Sequence, residues 1–243
     1  MTNHENLIKY LKTQFRIVEL ILPKVSRKPS GKSIHQLRLA TRRARVALWI
    51  LENSSSAVRF KELSHDLRKL GKTLGQIREV EVSIQDANHY DLELFDLKTR
   101  RTYAQKEIQN LVSEKKRNDL AKKFADAENA IGNIGPASFS LMRDKLIVKI
   151  HRQLKLCARG EIKPHKLRIV LKRTRYALEA IGKSVAKIKS LQDVLGDAHD
   201  LVTLQMYVGK NRKIKHEQHA LNVQATRLIK PTLHFVVAQL EGV

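Results

Sequence analysis

Apolar residues recur every three to four positions along most of the chain, which is the spacing of amphipathic helices. The first series, over residues 6–22, consists of Leu7, Ile8, Leu11, Phe15, Val18, Ile21 and Leu22. Pro23 is expected to end this helix, because a proline ring removes a backbone donor and obstructs the preceding turn. No stretch alternates apolar and polar residues as a half-buried strand would. The pattern therefore predicts an all-α protein.

Further apolar series continue this pattern through the rest of the chain. They predict a helix over residues 34–52, then one helix or a pair from residue 58 onward. Long helices are predicted from 80 to 131 with at most one turn near 88–91, followed by helices over 138–158 and 164–180. The final helix, over 213–240, is expected to be interrupted near Pro231.

A row of basic residues lies along one side of the helix predicted from residue 34. At about 100° per residue, the row falls within an arc of roughly 80°. Its members are His35, Arg38, Arg42 and Arg45, which we call the first stripe. Apolar residues border both sides of the first stripe, which favours packing on both flanks and places the cations at the floor of a groove. Such a groove is expected to hold an anion.

The same pattern returns near residue 165. There the row consists of His165, Arg168, Lys172 and Arg175, which we call the second stripe. The segment that begins at Leu74 and Gly75 also matches the one that begins at Leu195 and Gly196. These matches predict an internal duplication, with two tandem pseudo-symmetric helical bundles around a basic groove or central pore. The glycine and proline cluster at 132–136 divides the single domain into repeat one, about residues 1–133, and repeat two, about 134–243.

The net charge indicates a polyanionic partner. Among 243 residues, 47 Lys and Arg oppose 24 Asp and Glu, which gives a net charge of +23 and a pI near 10.3. Charge alone leaves nucleic acid, an acidic membrane surface and polyphosphate open. Cys157 is the single cysteine, which favours a reducing compartment, and no apolar run is long enough for an export signal or a membrane span. We expect a cytoplasmic protein that does not bind membranes.

The residue types of the stripes suit phosphate. Arginine pairs two phosphate oxygens at once through its planar fork and remains charged, whereas lysine offers a mobile point charge. A histidine at the head of each stripe can also donate to phosphate, because nearby anions favour its protonated form. Additional contacts are predicted at Lys32, Lys69, Lys72, Arg78, Lys163 and His199.

The duplicated H-x-L-R stretches, together with the L-G-x-x-[RH]-[ED] segments at Leu74–Glu79 and Leu195–Asp200, resemble the CHAD family, the conserved histidine α-helical domain. The resemblance covers nearly the whole chain. It implies an all-helical domain that binds inorganic polyphosphate, with association with polyphosphate granules as a further expectation. The basic residues of the family's motif correspond in this sequence to two sets. The first is His35, Arg38, Arg42, Arg43 and Arg45, and the second is His165, Arg168, Lys172, Arg173 and Arg175. On a helical wheel, Arg43 and Arg173 lie about 80° from the histidine that heads each stripe, toward an outer face. We therefore expect them to contribute less to polyphosphate binding.

Two other functions are compatible with part of the sequence. A nucleic-acid-binding protein would share the charge, but only 5% of the residues are aromatic, whereas single-strand readers stack bases on aromatic rings. A phosphohydrolase would rest on Asp197, His199 and Asp200, or on a metal pair at His216 and His219, and both signals are weak. We therefore predict a non-catalytic binding protein without a cofactor or a metal. No pattern indicates an oligomeric state.

Overall fold

The computed structural model describes residues 3–52, 57–92, 95–159 and 164–241. Within those ranges every regular element is an α-helix, so the all-α prediction is confirmed. The elements are α1 (Asn3–Arg27), α2 (Gly31–Ile50), α3 (Ala57–His89), α4 (Phe95–Leu111), α5 (Glu114–Gly132), α6 (Pro136–Ala158), α7 (Pro164–Ala180), α8 (Ala186–Val208) and α9 (Arg212–Glu241). None of these described helices is long and apolar enough to cross a bilayer.

The chain forms two compact units. Unit one is Met1–Ile84 with Phe95–Arg143, and unit two is Gln85–Leu94 with Asp144–Val243. In unit one, α1 packs along α2 and also contacts α4 and α5. In unit two, α8 packs against both α7 and α9. The first stripe therefore belongs to unit one and the second stripe to unit two. The internal duplication stays a prediction of the sequence.

The core of unit one is built around α1. Phe15 stacks on Phe124 of α5, with ring centroids 4.2 Å apart and planes inclined by 12°. Leu7, Leu11 and Val18 on the same face of α1 are completely buried. Removing this much apolar surface from water is the main stabilising contribution of the helix. The packing of α1 on α2 in turn fixes the helix that carries the first stripe.

The core of unit two is built around α8. Ile188, Leu191 and Leu204 of α8 are completely buried, as are Leu171 of α7 and Ile214 of α9. These residues occupy the sides of α8 that pack against its two neighbours, because residues three or four apart share one face of a helix. The second stripe is thus carried by a helix, α7, that is anchored through α8.

Helix ends follow local chemistry. Ser30 caps α2: its Oγ accepts a hydrogen bond from the backbone N–H of Ser33, whose side chain accepts one from the backbone N–H of Ser30. Pro164 is the first residue of α7, where its missing N–H costs nothing. Gly182 follows α7 with φ of 78°, and the N–H of Lys183 donates to the carbonyl oxygen of Leu178 at 2.9 Å. The two stripe helices therefore have defined starts or ends.

Several predicted helix ends are wrong. Pro23 and Pro231 lie inside α1 and α9, which continue past them. Each proline removes one backbone hydrogen bond, but buried residues beyond it, such as Val25 and Val236, hold the helix in place. Residues 57–89 form one helix rather than a pair. The turn predicted near 88–91 is present, and a second break at 112–113 separates α4 from α5. Residues 53–56 and 160–163 lie outside the described residues.

Candidate functional site

The first stripe runs along α2 with packed residues on both sides. Arg38, Arg42 and Arg45 are half-buried, and His35 is exposed. The predicted flanks are largely buried: one is Ile34, Leu37, Thr41, Ala44 and Leu48, and the other is Leu39, Val46 and Ile50. The guanidinium groups therefore extend between apolar surfaces, which limits their freedom before any ligand arrives.

Two glycines of α3 lie against α2, one beside the first stripe and one beside its flank. A Cβ atom at Gly75 would lie 3.7 Å from Nε of Arg38, and one at Gly71 would lie 3.5 Å from Oγ1 of Thr41. Arg38 thus passes close to the backbone of α3, and its Nε atom is shielded from solvent. A larger side chain at Gly75 would take up space beside the arginine. The glycine keeps that space open.

The second stripe makes the matching contact. A Cβ atom at Gly196 of α8 would lie 3.8 Å from Nη2 of Arg168, which is half-buried on α7. Gly196 and Arg168 are the residues that the predicted duplication matches to Gly75 and Arg38. Each unit therefore sets the first arginine of its stripe against a glycine of the following helix.

Positive charges converge around His35. The pKa of its imidazole lies below the ordinary value, first because neighbouring protein atoms remove part of the ring's hydration even though the residue is exposed, and then because Arg78, Arg38 and Arg42 repel a proton on it. Arg78 belongs to α3, so cations from two helices act at one place. Bringing like charges together costs free energy, which a bound anion would recover.

The second stripe shares its surroundings with carboxylates. Nη2 of Arg168 lies 3.9 Å from Oδ1 of Asp200 on α8. Partial burial and the neighbouring Asp200 and Asp193 raise the pKa of Asp197, while Arg168 acts in the opposite direction. An anion at this stripe would meet these acidic groups as well as the arginine. Acidic groups of α8 therefore lie beside the second stripe.

Arg175 is engaged within unit two. Its Nε lies 3.1 Å from Oε1 of Glu179, one turn along α7, and its Nη1 donates to Oε1 of Gln192 at 2.9 Å. The side chain is only 14% exposed, and Gln192 is itself buried. The contact with Glu179 is an ion pair and the one with Gln192 is a charge-assisted hydrogen bond, so two separate residues hold the guanidinium group. Arg175 thus joins α7 to α8.

Comparison with known proteins identifies the family. The sequence model of the CHAD domain matches residues 9–208. This chain belongs to the CHAD domain family. The fold resembles the crystal structure of the CHAD domain from the plant Ricinus communis, with a TM-score of 0.63 and 20% identity over 100% of this chain and 93% of that one. It also resembles PptA from Streptomyces chartreusis, with a TM-score of 0.63 and 14% identity over the full length of both chains. Among curated proteins no match was found.

Sequence reasoning assigned no role to two groups beside the first stripe of this CHAD domain. Glu81 of α3 is buried, and a Cβ atom at Gly31, where α2 begins, would lie 3.2 Å from its Oε2. Its carboxylate lies 4.0 Å from Nη1 of Arg78 and 3.8 Å from Nη2 of Arg101 on α4. Burial raises the pKa of Glu81, and both arginines oppose that rise. Arg101 carries no signal in the sequence, because only tertiary packing brings α4 to this place.

The lesser role expected for Arg43 stays a prediction. Arg43 is half-buried and its Nε atom is shielded from solvent, as are those of Arg38 and Arg45. The helical wheel treated the side away from the stripe as open, whereas α2 packs against α1 and is also approached by α3. Arg173 and Lys172 on α7 are likewise half-buried. Position on the wheel alone therefore does not separate Arg43 and Arg173 from the stripes.

The remaining predicted residues are dispersed. Lys32 and Lys72 are exposed on α2 and α3, and His199 is half-buried on α8. Lys69 lines a separate cavity, together with residues of α1 and α5. Lys163 and the side chain of His165 lie outside the described residues. Within the described part of the chain no group of histidine, cysteine and acidic residues is placed to hold a metal ion.

Proposed function

We propose that this CHAD domain binds inorganic polyphosphate, the polymer that the family resemblance implies. The observation that carries the proposal is the row of half-buried arginines between the packed flanks of α2, with Arg78 of α3 near enough to His35 to lower its pKa. The proposed contacts are His35, Arg38, Arg42 and Arg78 in the first half and Arg168 and Lys172 in the second. The resemblance adds Arg43, Arg45, Arg173 and His165 as predicted contacts. Arg175 is not among them, because Glu179 and Gln192 already hold its guanidinium group.

Polyphosphate suits this arrangement better than nucleic acid does. Both polymers present one negative charge per phosphate and are held with release of counterions. Nucleic acids also carry bases, which single-strand binders stack on aromatic rings. The cations of the first stripe instead lie between aliphatic flanks, and Phe15 and Phe60 are buried in the core. A chain without bases can follow half-buried guanidinium groups with its oxygens alone.

A competition experiment separates the two ligands. Labelled long-chain polyphosphate is bound to the protein at physiological salt and then challenged with duplex DNA, single-stranded RNA or unlabelled polyphosphate at equal phosphate concentration. We expect unlabelled polyphosphate to displace the label at a concentration at least about 10-fold lower than either nucleic acid, a difference of about 1.4 kcal/mol. Equal displacement by DNA or RNA would instead favour nucleic acid as the ligand.

We propose further that binding occurs without hydrolysis. Among the residues that could suggest hydrolysis, Asp200 lies with its Oδ1 3.9 Å from Nη2 of Arg168. We expect no phosphate release when the protein is incubated with polyphosphate and Mg²⁺ or Mn²⁺. Release that His199→Ala abolishes would contradict this proposal.

Binding is expected to strengthen as the pH falls. In the free protein the pKa of His35 is lowered by partial loss of hydration and by three arginines, so the ring is neutral at pH 7 and its protonation costs stability as the pH falls through that pKa. A bound phosphate chain offsets the repulsion and raises the pKa, so binding takes up a proton. Affinity for long polyphosphate should rise about 3- to 10-fold from pH 8 to pH 6, since one pKa unit corresponds to a factor of ten.

Calorimetric titrations at several pH values, in buffers of different ionisation enthalpy, measure this proton uptake directly. His35→Gln should flatten most of the pH dependence. His216→Gln is the matched control, because His216 is an exposed histidine on α9 outside both stripes. If His35→Gln retained the parent's dependence on pH, the proposed contact of His35 with phosphate would be wrong.

A further inference from the structure

Unit one contains a cavity that is separate from the stripes. Its volume is about 270 Å³, and its apolar wall consists of Leu22 of α1, Leu70 of α3, Leu120 of α5 and Val112, which precedes α5. Each of these four side chains is largely buried. No residue of the first stripe lines the cavity. It is therefore a candidate for a second ligand.

Arg117 provides a charged group at this cavity that has only neutral partners. Its Nη1 donates to the carbonyl oxygen of Val112 at 3.1 Å and to Oγ of Ser26 at 3.3 Å. The residue is half-buried, and no carboxylate among the described residues lies within ion-pair distance of it. A half-buried guanidinium without an anionic partner favours an external anion, because charge-assisted hydrogen bonds are the stronger ones.

The rest of the cavity rim is also cationic. Lys69 and Lys116 line it without an ion pair in the described part of the chain. Lys123, by contrast, is satisfied by Asp66 at 2.6 Å and by Asp119 at 3.0 Å, and these bonds raise its pKa. Four cations and two carboxylates therefore line the cavity, a net charge of +2. The two carboxylates are already paired with Lys123, which leaves the other three cations for a ligand.

We propose that this cavity binds a small organic anion with an apolar body, such as a carboxylate on an aromatic ring or a short aliphatic chain. An apolar cavity of about 150 Å³ is enough for benzene, so a space of about 270 Å³ takes a ring and an acidic group. The body would contact Leu22, Leu70 and Leu120, and the acid would pair with Arg117. Sites for small ligands typically combine an apolar lining with a few polar groups in this way.

An NMR titration with benzoate tests the proposal on the full chain. We expect saturable shifts of backbone amide signals around the cavity, at Val112, Lys116 and Leu120. Benzamide, which has the same shape without the charge, and inorganic phosphate, which has charge without the ring, should each bind at least about 10-fold more weakly. Equal affinity for benzamide, or benzoate shifts confined to the first stripe, would overturn the proposal.

Variants separate the role of charge from that of folding. Arg117→Gln should weaken benzoate binding about 10-fold, and Lys122→Gln, an exposed lysine on the same helix outside the cavity, should leave it unchanged. Because Arg117 also bonds Val112, the double variant Lys69→Gln with Lys116→Gln gives a second measurement on exposed residues, with about 3-fold weaker binding expected. Unchanged affinity in folded Arg117→Gln or in the lysine double variant would count against the proposal.

Discussion

Replacing Arg42 and Lys172 together with alanine is expected to weaken binding of long polyphosphate about 10- to 100-fold at physiological salt. Each side chain contributes one contact to phosphate, and such a contact contributes about 0.7–1.4 kcal/mol in a half-buried setting. The slope of log affinity against log salt should fall by about 1.4 in magnitude, since a single-stranded polyanion loses about 0.7 per phosphate neutralised. The helix content should not change, because both residues lie beside the packed flanks rather than within them.

Affinities measured at several salt concentrations, with far-ultraviolet circular dichroism of each variant, check this expectation. The control is Lys61→Ala with Lys215→Ala, which removes the same charge from exposed lysines on α3 and α9 outside both stripes. If the control weakened binding as much as the stripe variant, net charge rather than the stripes would account for the affinity. An unchanged salt slope in the stripe variant would contradict direct phosphate contact.

The single variants carry further information. Arg42→Ala should weaken binding more than Lys172→Ala does. Arg42 acts on His35 together with Arg38 and Arg78, and the carboxylate on that side, Glu81, is buried near Arg78 and Arg101. The second stripe instead lies near Asp200 and the exposed Asp197. An equal loss would indicate that the nearby carboxylates do not affect the ligand. Comparing the two single variants is informative only if the protein binds polyphosphate as proposed.

The row of cations along α2 was predictable, because it depends on helical spacing alone. Once a segment is a helix, residues at intervals of three and four share a face, and packed neighbours cover the apolar flanks. The burial of Ile34, Leu37 and Leu48 confirms this prediction. The match between Gly75 and Gly196 was also found in the sequence, and both glycines lie against the first arginine of their stripes.

What surrounds each cation was not predictable in the same way. Glu179 is one turn from Arg175 and could have been noted from spacing, but Gln192 reaches Arg175 only because α8 packs on α7. Glu81 and Arg101 come from separate helices and meet through tertiary packing. The predicted helix ends at the two prolines were wrong for another reason. A proline costs one hydrogen bond locally, and burial further along α1 and α9 outweighs that cost.

Replacing Phe15 with alanine is expected to lower the free energy of unfolding by about 3–5 kcal/mol, the usual cost of removing a buried aromatic ring. Phe15 is 1% exposed, and its ring stacks on that of Phe124. Such an aromatic pair stabilises the fold by about 0.5–1.5 kcal/mol beyond the contribution of the buried area. Urea unfolding followed by circular dichroism measures the loss. Tyr103→Ala is the control, since this aromatic on α4 is 75% exposed and its removal should change stability by less than about 0.5 kcal/mol.

Phe15→Ala should also destabilise the packing of α2, the helix that carries the first stripe, because α1 packs both on α2 and on α5, which carries Phe124. A ligand that binds only the folded protein stabilises it by mass action, so saturating polyphosphate should raise the unfolding midpoint of this variant. Benzoate, whose proposed cavity includes Leu22 of α1, should raise the midpoint too and independently of polyphosphate. A loss of less than about 1 kcal/mol on Phe15→Ala would show that the aromatic stack does not hold α1 against α5, and the stripe helix would then need another anchor.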